Sequence, residues 1–374
     1  MVRMNLREGR MGMLEGISLA AISMCITGLF TLDPESTYSG GNATYITLPF
    51  AAFIALLLFC LITEVMKRNG YDNFSEMLDN CFGALGSNII SVILLIGFAF
   101  SAYAPLMRFV QIMHGLFFTG VSYRQILLFM LPASVVLAWL GFEALGRTAK
   151  CYSVVMLVVT AVSFIVSWKE LDSYRLYPLV GCSVERVATM TISQTVSFLP
   201  ALMGLLISSS GLNGRKTMRY VGVRAAVISA LICFVVQLLL GMIYSYSDLS
   251  NLIAPLCRIN HLRFGDTSYL RLDKLAQMIW MNGGVITGAF YIYSGASLFA
   301  RSFKISDIRP VTAPITLLVA AMILMEFDGI FTKYEWLVDT WNNLGFVVFA
   351  VPILAVSLAA LLKKRPKGKE KSIA

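Results

Sequence analysis

Long apolar runs recur along this chain, and no other feature limits its fold as sharply. Ten are present, at residues 13–32, 45–66, 87–117, 125–143, 150–168, 187–208, 221–245, 275–300, 311–327 and 341–362. About 17 to 25 apolar residues suffice to cross a bilayer as a helix, and the longer third run is expected to tilt. In lipid every backbone polar group must be satisfied within the structure, and no run shows strand-like alternation. The sequence therefore predicts an all-α membrane protein with ten transmembrane helices. Composition agrees. The 374 residues are 57% hydrophobic and 14% charged, against about 25% charged in soluble domains.

The net charge of +9 would suggest nucleic acid in a soluble protein. Here the cations sit between spans. Lys67 and Arg68 follow the second run, Arg147 and Lys150 the fourth, and Arg215, Lys216, Arg219 and Arg224 the sixth. Arg301, Lys304 and Arg309 follow the eighth, and a basic tail occupies 363–374. Positive charge collects on the cytoplasmic side, so both termini are expected there, with no nucleic-acid partner. Residues 73–82 are too short and charged to span and read as an amphipathic segment on that surface. The first run lacks a cleavage site and reads as a retained helix.

Seven dispersed cysteines and two isolated histidines argue against a disulfide framework or a metal site. No nucleophile elbow, zinc-binding HExxH or phosphate loop is present, so neither enzymatic activity nor a cofactor is expected.

Ten spans divide into five plus five. An odd number per half gives the halves opposite orientations, the inverted-repeat plan of many transporters. The expected division is one membrane domain, 1–374, with repeats at 1–168 and 187–362. Such folds place ligands between interrupted helices, and runs one and six hold equivalent positions. In run one, Thr27-Gly28 precedes Asp33-Pro34. Aspartate then proline reads as an N-cap and a first helical position. The stretch from Thr27 to Leu32 would link two half-helices, unless run one simply ends and a loop begins. Run six carries Gln194 and Ser197 before Pro200, and a mid-span proline removes a helical hydrogen bond. Half-helix termini suit the two ends of a small zwitterion. Ser23, Thr27, Gly28, Gln194, Ser197, Thr287 and Tyr291 are the candidate ligand-binding residues. Thr287, Tyr291 and Ser294 lie about one turn apart in run eight, whose glycines also permit close helix packing. Arg108, in run three, either snorkels to an interface or faces the interior in a structural or gating role.

Several segments, in order, resemble the spore germination permease family, the B-type membrane subunits of nutrient germinant receptors. They are Leu14–Pro34, LMRFVQIMHG at 106–115, YRLYPLVG at 174–181, SFLPALMGLLI at 197–207 and LRLDKLAQMIW at 270–280. The chain departs from the family pattern at Gln111, Pro200, Leu202, Thr27 and Asp33. The resemblance implies the APC superfamily fold, LeuT-like, with a nutrient site between broken helices one and six. It adds Arg271, with Asp33, Pro34, Arg108 and Pro200, as structural or gating positions. It implies a larger A-type membrane subunit and a C-type lipoprotein as partners, in the spore inner membrane. A secondary amino-acid transporter and a purely structural subunit are the alternatives.

Overall fold

The computed structural model describes residues 9–31, 40–71, 73–118, 120–212, 214–245, 272–327 and 334–362, with a few positions between 248 and 259. Asp33, Pro34, Arg271 and the basic tail lie outside the described residues, as does most of the long 246–274 loop.

Every described element is helical. Helix α1 is Met13–Phe30, α2 Thr44–Asn69, α3 Phe74–Ile112, α4 Tyr123–Leu140 and α5 Phe142–Val166. The second half holds α6 Val184–Gln194, α7 Leu199–Ile207, α8 Arg215–Ile243, α9 Leu272–Ser302, α10 Arg309–Phe327 and α11 Tyr334–Leu362. Helix ends follow local chemistry. Glu15 Oε2 accepts from Gly12 N at 2.9 Å to close the start of α1. Ser122 and Gln125 exchange bonds at the start of α4, satisfying N–H groups that have no partner inside the helix. Gly70, at φ 77°, ends α2 in the left-handed region that glycine enters freely.

Among the described residues, eight helical stretches are long and apolar enough to cross a membrane. Two of the ten expected spans fall short of that measure. Arg309–Met325 is apolar but shorter. Helix α9 runs unbroken from Leu272 to Ser302, but Asn282, glycines, serines and tyrosines dilute its apolar sequence. Its reason is positional: from Gly283 to Leu298 every residue is buried, so α9 faces other helices rather than lipid. Between membrane helices there is no hydrophobic drive, and small residues let backbones approach and gain dispersion contacts. A Cβ on Gly284 would lie 2.4 Å from the Phe109 ring, and one on Gly288 3.0 Å from Leu106. These glycines seat α9 against α3.

The expected amphipathic segment is the first part of α3. Phe74, Met77 and Leu78 are buried, and Gly83, at φ 70° and ψ −179°, turns the chain into the membrane-length part. Burial separates the remaining helices. In Val184–Ile207, 89% of the apolar window is buried, against 17% in Phe142–Val166. The interior is built on α1, α7 and α9, and α5 turns most of its surface outward.

Candidate functional site

Span six changes its winding. Helix α6 ends at Gln194, Thr195–Ser197 form one 3₁₀ turn, and α7 starts at Leu199. Tighter winding leaves carbonyls without their usual helical partners. Pro200 is not in mid-helix, as the sequence suggested. It occupies the first turn of α7, where its missing N–H costs nothing. Thr191 and Thr195 bond back to carbonyls of their own helix, at 2.7 and 2.8 Å.

Span one differs from expectation in a specific way. Thr27 and Gly28 lie inside regular helix, which runs unbroken to Phe30. The backbone leaves helical geometry at Thr31, with φ −101° and ψ 10°. A link between half-helices therefore cannot begin at Thr27. Thr31 turns back to bond the Thr27 carbonyl through both its amide and its hydroxyl.

The two spans meet at one hydroxyl. Thr27 Oγ1 lies 2.6 Å from the Ser197 carbonyl, and 2.7 and 3.2 Å from the Ser23 and Met24 carbonyls of its own helix. A threonine has one hydroxyl proton, so the three acceptors compete for it. The Ser197 carbonyl is released by the change of winding, and Thr27 reaches it across the helix interface. Tyr291, fully buried on α9, places its hydroxyl beside Thr27. Its Oη nevertheless meets no partner at hydrogen-bonding geometry. Gln194 Oε1, at the end of α6, is likewise buried without a partner. Buried polar atoms are nearly always paired, so each orphan calls for an explanation.

Not every candidate joins this cluster. The hydroxyls of Ser23 and Thr287 bond to Leu19 and Gly283 of their own helices. Ser294 does the same with Phe290. At Gly28 an added Cβ would meet Cys233 Sγ at 3.3 Å, Leu48 at 3.6 Å and Phe198 at 3.7 Å. Gly28 thus sits at a packed junction of α1, α2, α8 and the turn before α7.

Arg108 does not snorkel. It is 6% exposed, and its Nε donates to the carbonyl of Phe30, the last residue of α1, at 2.9 Å. A fixed cation at a helix C-terminus meets the negative end of the dipole. Phe30 packs on Phe109 and Trp280, at ring separations of 5.0 and 5.8 Å. Sequence reasoning missed Phe30, because a backbone acceptor leaves no trace in residue type. It also missed the clamp near the start of α2. There Asn42 donates to the carbonyls of Arg175 and Pro178, and Tyr45 to that of Leu179. Asn42 and Arg175 are far apart in the chain, and no local pattern signals the pairing.

Comparison with known proteins fits this architecture. The fold resembles a sodium-coupled sialic acid symporter, with TM-score 0.65 and 12% identity over 90% of this chain and 78% of that one. It also resembles Mhp1, a nucleobase-cation-symport-1 family transporter, with TM-score 0.60 and 15% identity over 91% and 76%. A manganese transporter of Eremococcus coleocola gives TM-score 0.59 at 13% identity, over 91% and 78%. At such identities the likeness speaks for the fold alone, the all-helical LeuT-type transporter fold. In sequence, the chain is 21% identical over 294 residues to Spore germination protein A2 of Bacillus subtilis (strain 168), covering 78% of this chain and 80% of that protein. Residues 14–329 match the profile of the family described as spore germination protein. With its helices long and apolar enough to cross a bilayer, this is an integral membrane protein, and it belongs to the spore germination protein family.

Proposed function

We propose that this chain is the B-type subunit of a nutrient germinant receptor, binding a small, amino-acid-like nutrient where α1 meets the winding change of span six. Thr27, Ser197, Gln194 and Tyr291 contact the ligand. Ser23, Gly28 and Thr287 shape the surrounding walls. One observation carries the reading: the buried Tyr291 hydroxyl makes no bond of good geometry and lies beside a Thr27 proton contested by three carbonyls. A ligand amine or carboxylate engaging these groups would redistribute that proton and change how α1 is held to span six. Binding shifts a two-state bundle only by its difference in affinity for the two states. The shift is passed to an A-type membrane subunit and a C-type lipoprotein in the spore inner membrane. Arg108 sets the position of α1, with Asp33, Pro34 and Arg271 assigned gating roles by the family resemblance.

The same proposal includes ten spans in two inverted five-helix repeats, 1–168 and 187–362, with cytoplasmic termini. It is supported by the pairing of helices. Number the spans one to ten, with α6 and α7 together as the sixth. Spans two and seven pack together, as do three and eight. Span one packs on seven, as six does on two, and span four packs on eight, as nine does on three. Exchanging each span with the one five further preserves these pairings.

The test is Tyr291→Phe and Thr27→Val, which remove single hydroxyls with little change of volume. Each is expected to raise the nutrient concentration needed for spore germination at unchanged receptor abundance. An unchanged dose response in both variants removes the site. A secondary amino-acid transporter is the second reading, favoured by the symporter-like fold. Labelled solute accumulating in proteoliposomes without partner subunits would decide for it.

A further inference from the structure

A cavity lies on the face of α1 away from Thr27, and nothing about nutrient recognition accounts for it. Its volume is about 610 Å³. The walls come from α1, α5 and α8, each contributing residues at intervals of three and four over about three turns: Ile17 to Phe30, Ser153 to Phe164 and Ile228 to Leu239. Such spacing on three helices describes a narrow groove parallel to their axes, about 20 Å long at 1.5 Å per residue. That is roughly two thirds of the ~30 Å hydrocarbon core of a bilayer.

The lining is almost wholly apolar, with aliphatic side chains in the majority and Phe30, Phe164 and Trp280 among them. Its few polar groups already have partners. Ser153 bonds Ser18 and the Lys150 carbonyl. Thr160 donates to the Met156 carbonyl and accepts from Trp280 Nε1. Among the described residues no lining atom is a buried polar group lacking a bond. A zwitterion would find nothing here to replace its water shell. The groove opens sideways. Val154, Leu157 and Leu231 on its rim are 64%, 58% and 62% exposed, and all three belong to helices of membrane-crossing length. Their surroundings are hydrocarbon. Phe30 and Trp280 line one end, and Phe30 is the residue whose carbonyl Arg108 holds.

We propose that this groove takes one acyl chain of a membrane phospholipid. The occupant braces α1 on the face opposite Thr27 and Ser23. Shape, length and lateral opening select a linear aliphatic chain, and the satisfied polar groups select against a nutrient. The inference rests on membrane embedding and not on the nutrient site, so either can fail alone.

The experiment uses the full chain in liposomes of a phospholipid with a photoactivatable diazirine in one acyl chain, with adducts mapped by mass spectrometry. Adducts are expected to concentrate on Leu157, Leu231 and Ile22, severalfold above those on Leu128 and Phe129. These two α4 residues, 70% and 81% exposed, report ordinary lipid contact. Ala161 lines the groove and is itself exposed, so Ala161→Phe fills the space from the lipid side without entering the core. It should abolish the excess and leave Leu128 and Phe129 labelling unchanged. Groove labelling no higher than at Leu128 and Phe129 in the unaltered protein overturns the proposal, whether or not the variant folds. So does an excess that survives Ala161→Phe.

Discussion

Arg108→Ala tests how α1 is held. Arg108 is 6% exposed, and its guanidinium Nε bonds the last carbonyl of α1 at 2.9 Å. A hydrogen bond from a charged donor contributes about 1.5–3 kcal/mol. The charge at a helix C-terminus adds about 0.3–1 kcal/mol, up to ~2 where partly buried. Truncation should therefore cost about 2–4 kcal/mol. With an unfolding entropy of ~2.1 cal/mol/K per residue over a chain of this length, that is a fall in Tm of roughly 3–5 °C. The assay is thermal unfolding of the purified protein in detergent, followed by tryptophan fluorescence. Arg108→Lys keeps the charge but lacks the planar fork that fixes Nε on the carbonyl. It should recover the dipole contribution and fall between alanine and the native protein. A loss below ~0.5 kcal/mol for alanine, the range of ordinary surface substitutions, would refute the reasoning. It would show that α1 keeps its end without the cation.

Three other outcomes follow from the packing. Gly28→Leu drives a side chain into Cys233, Leu48 and Phe198 and should cost about 1–3 kcal/mol; Cys233→Ala in the same chain should return part of it, measured by the same unfolding assay. Gly284→Ala, with its Cβ 2.4 Å from the Phe109 ring, should lower stability by a similar amount, about 1–3 kcal/mol, and Phe109→Leu should partly rescue it. Glu64→Gln should leave Tm unchanged within the error of the assay, because water screens an exposed ion pair and the Glu64–Arg219 pair at 2.8 Å keeps both side chains at least one-third exposed; a clear fall in Tm, non-additive with Arg219→Gln in a double-mutant cycle, would show stronger coupling than an exposed pair sustains.

The sequence by itself determined that the chain is helical and lives in a bilayer. Apolar length and the need to satisfy every backbone group inside lipid leave little choice, and the positions of the helices are close to those read from the runs. The amphipathic segment at 73–82 was legible for the same reason, since periodicity and charge are local properties. Tyr291 and Thr27 were legible as polar residues in apolar surroundings. Their relation was not. Whether a hydroxyl turns back to its own helix, as in Ser23 and Thr287, or reaches across to another, as in Thr27, depends on a neighbour 170 residues away. Pro200 shows the same limit. Proline signals an interrupted helix, but only the arrangement of the preceding turn decides between a kink and a fresh start. Tertiary structure also decided that Arg108 faces inward and that a groove runs beside α1. Both depend on which helices become neighbours, and the energies that choose neighbours in a membrane come from close packing of small residues and from shared hydrogen bonds. These are properties of two surfaces together, and no single stretch of chain contains them.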